Sequence, residues 1–131
     1  MRNPNRPLSP HLTIYRPQLT SLLSVLHRGT GVFITMAAVV LVAWLMALAA
    51  GPGYYDLLKA VLGHWLGQLV LLGITFSLAY HLCNGVRHLV WDSVRALELK
   101  GVYRGGYLVL AGSLVLTGLI WVLAYAVAGG V

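Results

Sequence analysis

The segment from Ala60 to Val86 reads AVLGHWLGQLVLLGITFSLAYHLCNGV. It holds 27 residues without Asp, Glu, Lys or Arg, whereas roughly 20 helical residues cross the roughly 30 Å hydrocarbon layer of a bilayer. Two further uncharged windows, 29–55 and 105–131, have the same length. The sequence therefore predicts an all-α integral membrane three-helix bundle with helices at about 21–50, 57–91 and 105–129.

Composition and charge agree with this class of protein. Of the 131 residues, 59% are hydrophobic and only 9% are charged, which excludes an ordinary water-soluble domain. The net charge of +6 could suggest a nucleic-acid ligand, but the basic residues flank the apolar spans instead of forming one solvated patch, so no nucleic-acid partner is expected.

The basic residues also predict the topology. Eight of them lie before or at the start of helix 1, or around the connection between helices 2 and 3: Arg2, Arg6, Arg16, Arg28, Arg87, Arg95, Lys100 and Arg104. Only Lys59 falls on the other side. Under the positive-inside rule, the N-terminus and the second connection are cytoplasmic, or face the matrix in a mitochondrion, and the C-terminus lies outside.

The first 20 residues differ from the rest of the chain. They are polar and contain four of its five prolines, so we expect a cytoplasmic N-terminal arm over 1–20 and a membrane domain over 21–131. The arm lacks the apolar core and cleavage site of a signal peptide and is a poor transit peptide, which favours a bacterial inner membrane over a mitochondrial one. The single cysteine, Cys83, excludes an internal disulfide and is expected to be a packing residue.

His81 is the candidate functional residue inside the second apolar span. An ionisable side chain in hydrocarbon is a functional-site candidate by default, because its desolvation must be compensated. One interpretation is a ligand of a buried haem iron; the alternative is a neutral histidine hydrogen-bonded to a backbone carbonyl or to Asn84. His88 lies seven residues further, about 10 Å along the helix, too far to ligate the same iron. A second axial ligand, and helix faces that cover the cofactor, would come from another membrane chain.

Helix 1 brings a second group to the same leaflet, since helices 1 and 2 run antiparallel. Ser24 and Arg28 are four residues apart and share one helix face. A hydroxyl and a guanidinium there could hydrogen-bond a quinone carbonyl and stabilise the negative charge of reduction; alternatively, Arg28 reaches lipid headgroups. The ordinary interpretation of His88 and His64 is an interfacial or packing histidine, and His11 belongs to the arm.

Two segments carry a resemblance to a known family. Residues 6–12 read RPLSPHL and residues 24–31 read SVLHRGTG, which is similar to an RP(L)SPHL arm followed by an SxxHRxTG helix start. Residues 81–92 read HLCNGVRHLVWD, which is similar to an HxxxGxRHLxxD signature. In motif order and number of helices, the chain closely resembles the cytochrome b membrane-anchor (C) subunits of succinate dehydrogenase, respiratory complex II.

The resemblance implies specific roles. His81 would be the haem b axial ligand from this subunit, and a smaller D-type anchor subunit would supply the opposite ligand. Ser24 and Arg28 would line the ubiquinone site, while His27, Arg28 and His88 would lie near the haem propionates. Succinate oxidation would belong to a flavoprotein subunit and an iron–sulfur subunit, so no catalytic residue in the strict sense is expected here. The alternatives are a haem-free structural anchor and the anchor of a quinol:fumarate reductase.

Overall fold

The computed structural model describes residues 15–128, which form four α-helices in this part of the chain. They are α1 (Leu19–Ala50), α2 (Pro52–Gly63), α3 (Trp65–Asp92) and α4 (Leu99–Ala128). Three of them, α1, α3 and α4, are long and apolar enough to cross a membrane. The predicted all-α membrane bundle with three spans is therefore confirmed, and α2 is an additional short helix. The predicted arm over 1–20 lies mostly outside the described residues.

The second predicted helix, 57–91, is wrong as a single element because the chain breaks at His64. This residue adopts an extended conformation with ψ 151°, and its Nδ1 accepts a hydrogen bond from the Leu66 amide at 3.4 Å, so it serves as the N-cap of α3. The backbone of α2 then passes directly over Gly67. A Cβ on Gly67 would lie 2.6 Å from the Leu62 Cα, closer than any side chain tolerates.

The last helix starts earlier than the predicted residue 105. The connection is only 93–98, and it contains two non-glycine residues in the left-handed region, Val94 at φ 58° and Ala96 at φ 55°. Gly101, Gly105 and Gly106 all lie within this helix. Gly106 is buried against α1, where a Cβ would lie 2.9 Å from Leu23 Cδ1, so its role is close helix packing.

The buried core is small and lies where α1, α3 and α4 meet. Leu23, Tyr80 and Val109 form its centre, and the Tyr80 hydroxyl donates to the Leu23 carbonyl at 2.8 Å. Cys83 packs against this cluster, as predicted for a packing residue. Most other large apolar side chains are exposed, including Leu108 at 71%. The helices thus present apolar surfaces to lipid or to other membrane chains.

Candidate functional site

Three histidines meet between α1 and α3. The His27 and His81 rings are stacked, with centroids 3.9 Å apart and planes inclined by 14°. The His88 ring centroid lies 5.4 Å from that of His27. Within residues 15–128, no group of three His, Cys, Asp or Glu side chains is arranged to hold a metal ion. The histidines share one region, but they do not converge on a common point.

Thr30 fixes the orientation of His81. This buried residue lies one turn after His27, and its hydroxyl donates to the His27 carbonyl at 3.0 Å. The same oxygen lies 3.3 Å from His81 Nδ1. Because the hydroxyl has one proton and gives it to the carbonyl, the second bond requires an N–H on His81 Nδ1. The Nε2 lone pair, which lies in the ring plane and away from the stacking interaction, is then available to a ligand.

A glycine lets His81 approach α1. A Cβ on Gly31 would lie 3.2 Å from His81 Cε1, tighter than ordinary van der Waals contact. His27 is the other ring of the stacked pair. Its Nδ1 is buried and has no hydrogen-bond partner among the described residues. An unpaired buried nitrogen carries a desolvation cost, so the stacking of His27 on His81 leaves one polar atom of the cluster unsatisfied.

The expected alternative partner of His81, Asn84, belongs to a different network. Its Oδ1 accepts from Arg87 Nη1 at 3.3 Å, and its Nδ2 lies 3.4 Å from His88 Nε2. Asn84 is buried, as is Arg87, which donates through Nη2 to the Val102 carbonyl at 3.0 Å. Trp91 lies beneath the guanidinium, with its ring centroid 4.0 Å away. The alternative in which His81 is hydrogen-bonded to Asn84 is therefore excluded, since Asn84 links Arg87 to His88.

Ser24 and Arg28 lie on consecutive turns of α1, and both are exposed. Arg28 Nε donates to the Ser24 carbonyl at 3.4 Å, so the guanidinium folds back along its own helix. Within residues 15–128, the Ser24 hydroxyl has no hydrogen-bond partner. His64 is far from this cluster, exposed at the break between α2 and α3, with its ring centroid 5.8 Å from that of Trp65. His11 lies outside the described residues.

Sequence reasoning missed two contributors to this site, Thr30 and Gly31. Both lie in the SVLHRGTG segment, three and four residues after His27. This spacing places them near the helix face that carries His27. That spacing was a usable signal. The spacing does not give the rotation of α1 about its own axis relative to α3. That rotation decides whether the Thr30 side chain reaches His81.

The fold and the cluster together define a class: a membrane protein with three spans whose imidazoles meet between two antiparallel helices. Comparison with known proteins gives the family. The family model described as "Succinate dehydrogenase/Fumarate reductase transmembrane subunit" matches residues 2–120. The chain belongs to this family, as the resemblance predicted.

Individual relatives agree with the family assignment. The succinate dehydrogenase cytochrome b556 subunit of Rickettsia conorii is 42% identical over 117 residues, covering 89% of this chain and 91% of that protein. The subunit of the same name from Paracoccus denitrificans is 38% identical, covering 86% of each chain. The mitochondrial succinate dehydrogenase cytochrome B subunit of Schizosaccharomyces pombe is 43% identical, covering 87% of this chain and 66% of that protein. Because bacterial and mitochondrial proteins both appear, the bacterial inner membrane stays a prediction.

Proposed function

We propose that this chain is the membrane-anchoring, haem b-binding subunit of a succinate:quinone oxidoreductase and helps to form its ubiquinone-reduction site. The observation that carries the proposal is the position of His81: Thr30 holds its Nδ1, and Nε2 remains available within an apolar span. A metal-ligating histidine typically donates its other ring N–H to a fixed acceptor. The relatives' name, cytochrome b556 subunit, is consistent with this role.

The residues around His81 fit one side of a haem. His81 would supply one ligand to the haem iron, and a D-type anchor subunit would supply a second. The exposed Arg28 and His88 are suited to the propionates, because each can donate to a carboxylate, and His27 would lie close to them beside His88. When bound, haem b supplies one-electron transfer; the chain's own contribution is to hold it at a fixed depth and orientation.

Ser24 and Arg28 would bind the quinone. The Ser24 hydroxyl would donate to a quinone carbonyl, and the Arg28 guanidinium would leave its helix carbonyl to stabilise the negative charge that develops on reduction. Both side chains are exposed on α1, where a ligand can reach them. Electrons would arrive from succinate through the flavoprotein and iron–sulfur subunits, and this membrane subunit would anchor those two proteins to the bilayer.

The physiological direction is proposed to be succinate oxidation. The family description covers fumarate reductases as well, but the relatives cited above are named as succinate dehydrogenase subunits. An excess of quinone-dependent succinate oxidation over quinol-dependent fumarate reduction by the purified complex would support this direction, and the opposite ratio would contradict it.

Visible spectroscopy of the purified complex tests haem binding. His81→Leu removes the proposed ligand, so we expect the reduced-minus-oxidised b-type bands to be lost or strongly altered. His64→Leu is the matched control, because His64 is an exposed histidine at the α2–α3 break and should leave the bands unchanged. Unaltered bands in His81→Leu would exclude His81 as the ligand. Loss of the bands in both variants would contradict a specific role of His81 in haem binding.

A further inference from the structure

A groove between α3 and α4 lies on a different side of α3 from the histidine cluster. Its volume is about 650 Å³. Its walls are apolar along most of their length, including Leu82, Val86, Leu108 and Leu116. The end nearest the α3–α4 connection is lined instead by polar and aromatic side chains: Arg87, Trp91, Glu98 and Arg104. This amphipathic α3–α4 groove is not used by the proposed haem and quinone sites.

The polar end of the groove has an excess of positive charge. Arg104 is exposed at its edge, and Arg95 and Lys100 are exposed nearby in the connection and the first turn of α4. The carboxylates of this region are Asp92 and Glu98, and Glu98 lines the groove. Glu98 directly precedes α4, and its carboxylate lies against the first turn at Gly101, so it offsets only part of the positive charge at this end of the groove.

Arg87 adds a buried cation that has no anionic partner in the part of the chain that the structure describes. It is only 7% exposed, and its hydrogen bonds go to neutral oxygens, the Asn84 side chain and the Val102 carbonyl. Its Nε is buried and has no hydrogen-bond partner among the described residues. A guanidinium that is removed from water is stabilised by a negative charge nearby. Arg87 lines the polar end of the groove, so an anion bound there would supply that charge.

The groove also has the length of a lipid tail. Arg104 and Leu116 are twelve residues apart on α4, about 18 Å at 1.5 Å per residue. One leaflet of a bilayer contributes roughly half of the roughly 30 Å hydrocarbon layer. A molecule bound here would place an anionic group beside Arg104 and an alkyl chain along Leu108 towards Leu116.

We propose that the α3–α4 groove is a binding site for one anionic phospholipid. Its phosphate would lie beside Arg104 near the start of α4, in the field of Arg87, and one acyl chain would lie along the apolar walls. Basic pockets between membrane helices on the cytoplasmic or matrix side commonly bind anionic headgroups. A free phosphate would leave the apolar walls uncovered, and a neutral lipid would leave the positive charge unpaired.

Native mass spectrometry of the purified whole complex tests the phosphate end. Titration with dioleoyl phosphatidylglycerol should show tighter binding than titration with dioleoyl phosphatidylcholine. Arg104→Gln should weaken phosphatidylglycerol binding by about fivefold, the effect of one basic residue near an anionic surface. Lys59→Gln is the control, because Lys59 is an exposed cation on α2, outside the groove. Equal binding of the two lipids, or no difference between the variants, would overturn the proposal.

A second pair of variants tests the acyl chain. Leu116→Trp should fill the deep end of the groove and reduce phosphatidylglycerol binding, whereas Leu119→Trp, at a 53% exposed position outside it, should not. Inorganic phosphate at the same concentration should not compete, since it lacks a tail. Equal binding by both tryptophan variants, competition by phosphate, or a protein chain filling the groove in the assembled complex would each overturn the assignment.

Discussion

The Thr30 hydroxyl decides which nitrogen of His81 can meet a ligand. Thr30 donates to the His27 carbonyl at 3.0 Å and can therefore only accept from His81 Nδ1. One side chain thus links the two stacked histidines and leaves His81 Nε2 as a lone-pair donor. Under the proposed function, Thr30 is a positioning residue: it acts on the iron only through the ligand that it orients.

Replacing Thr30 with Val removes the hydroxyl but keeps the branched shape. We expect Thr30→Val to weaken haem binding by roughly 10- to 100-fold, the usual effect of losing an outer-shell partner of a metal ligand. Haem per complex, measured from the b-type bands during dilution into detergent, checks this. Thr30→Ser keeps the hydroxyl and should restore binding. If the Val and Ser variants lost haem equally, the effect would be one of packing and the positioning role would be contradicted.

Ser24 and Arg28 are predicted to act on the quinone. Ser24→Ala and Arg28→Leu should each lower quinone reduction by roughly tenfold or more, because each removes a donor to the developing negative charge. Succinate oxidation with an artificial soluble acceptor should be largely retained. Thr35→Ala is a matched control, since this exposed hydroxyl donates to the Gly31 carbonyl of its own helix. Parallel loss of both activities would indicate failed assembly and contradict a specific quinone role.

Hydropathy predicted the membrane-spanning helices, but it did not reveal the break between α2 and α3. The uncharged window from 60 to 86 continues across His64 without a change in composition, so it predicted one helix. The structure instead ends α2 at Gly63 and caps α3 with the His64 side chain. Length and apolar character predicted the spans, whereas the break depends on a cap and on backbone contact between α2 and α3.

Gly67 should be the residue that makes this break possible. Gly67→Ala would place a methyl group against the backbone of Val61 and Leu62, so we expect a destabilisation of about 1 to 3 kcal/mol, typical of overpacking. Thermal unfolding of the purified complex would show it as a lower Tm. Gly63→Ala is the matched control, because a Cβ there meets nothing within 4 Å. Equal Tm values for the two variants would contradict the close approach of α2 to α3.

The sequence predicted most residues of the candidate site, but not the hydrogen bonds between them. His81 stood out because an imidazole in hydrocarbon needs a partner, and antiparallel helices required it to lie near the depth of His27. Which polar group would contact it was left open: Asn84, three residues along the same helix, was one alternative because of its spacing, and a backbone carbonyl was the other. Asn84 instead bonds Arg87, and this choice depends on the packing of α4 against α3, which places the Val102 carbonyl beside the guanidinium.

The whole molecule is a thin bundle with few buried apolar side chains. Its apolar core consists of Leu23, Ala79, Tyr80 and Val109 among the described residues. In a bilayer, small residues and hydrogen bonds hold helices together, and exposed apolar surface is normal. The position of the histidine cluster, between α1 and α3 and not enclosed by the bundle, leaves room for a second membrane chain to complete a haem site.

The distribution of basic residues predicts the orientation of this bundle. On a Cys83→Ser background, Lys59→Cys should react with a membrane-impermeant maleimide added to intact bacterial cells, because Lys59 is predicted to lie on the outer side of the membrane. Lys100→Cys, equally exposed in the structure, should react only after the cells are opened. The reverse labelling pattern would contradict the predicted cytoplasmic N-terminus.

The most direct test of the central claim is a cryo-electron microscopy map of the purified complex around His81. The proposed function predicts a haem between this chain and a second membrane subunit, with His81 Nε2 coordinated to the iron and Nδ1 bonded to Thr30. A map with His81 turned to lipid or to another side chain, or a haem iron ligated by other residues only, would contradict it.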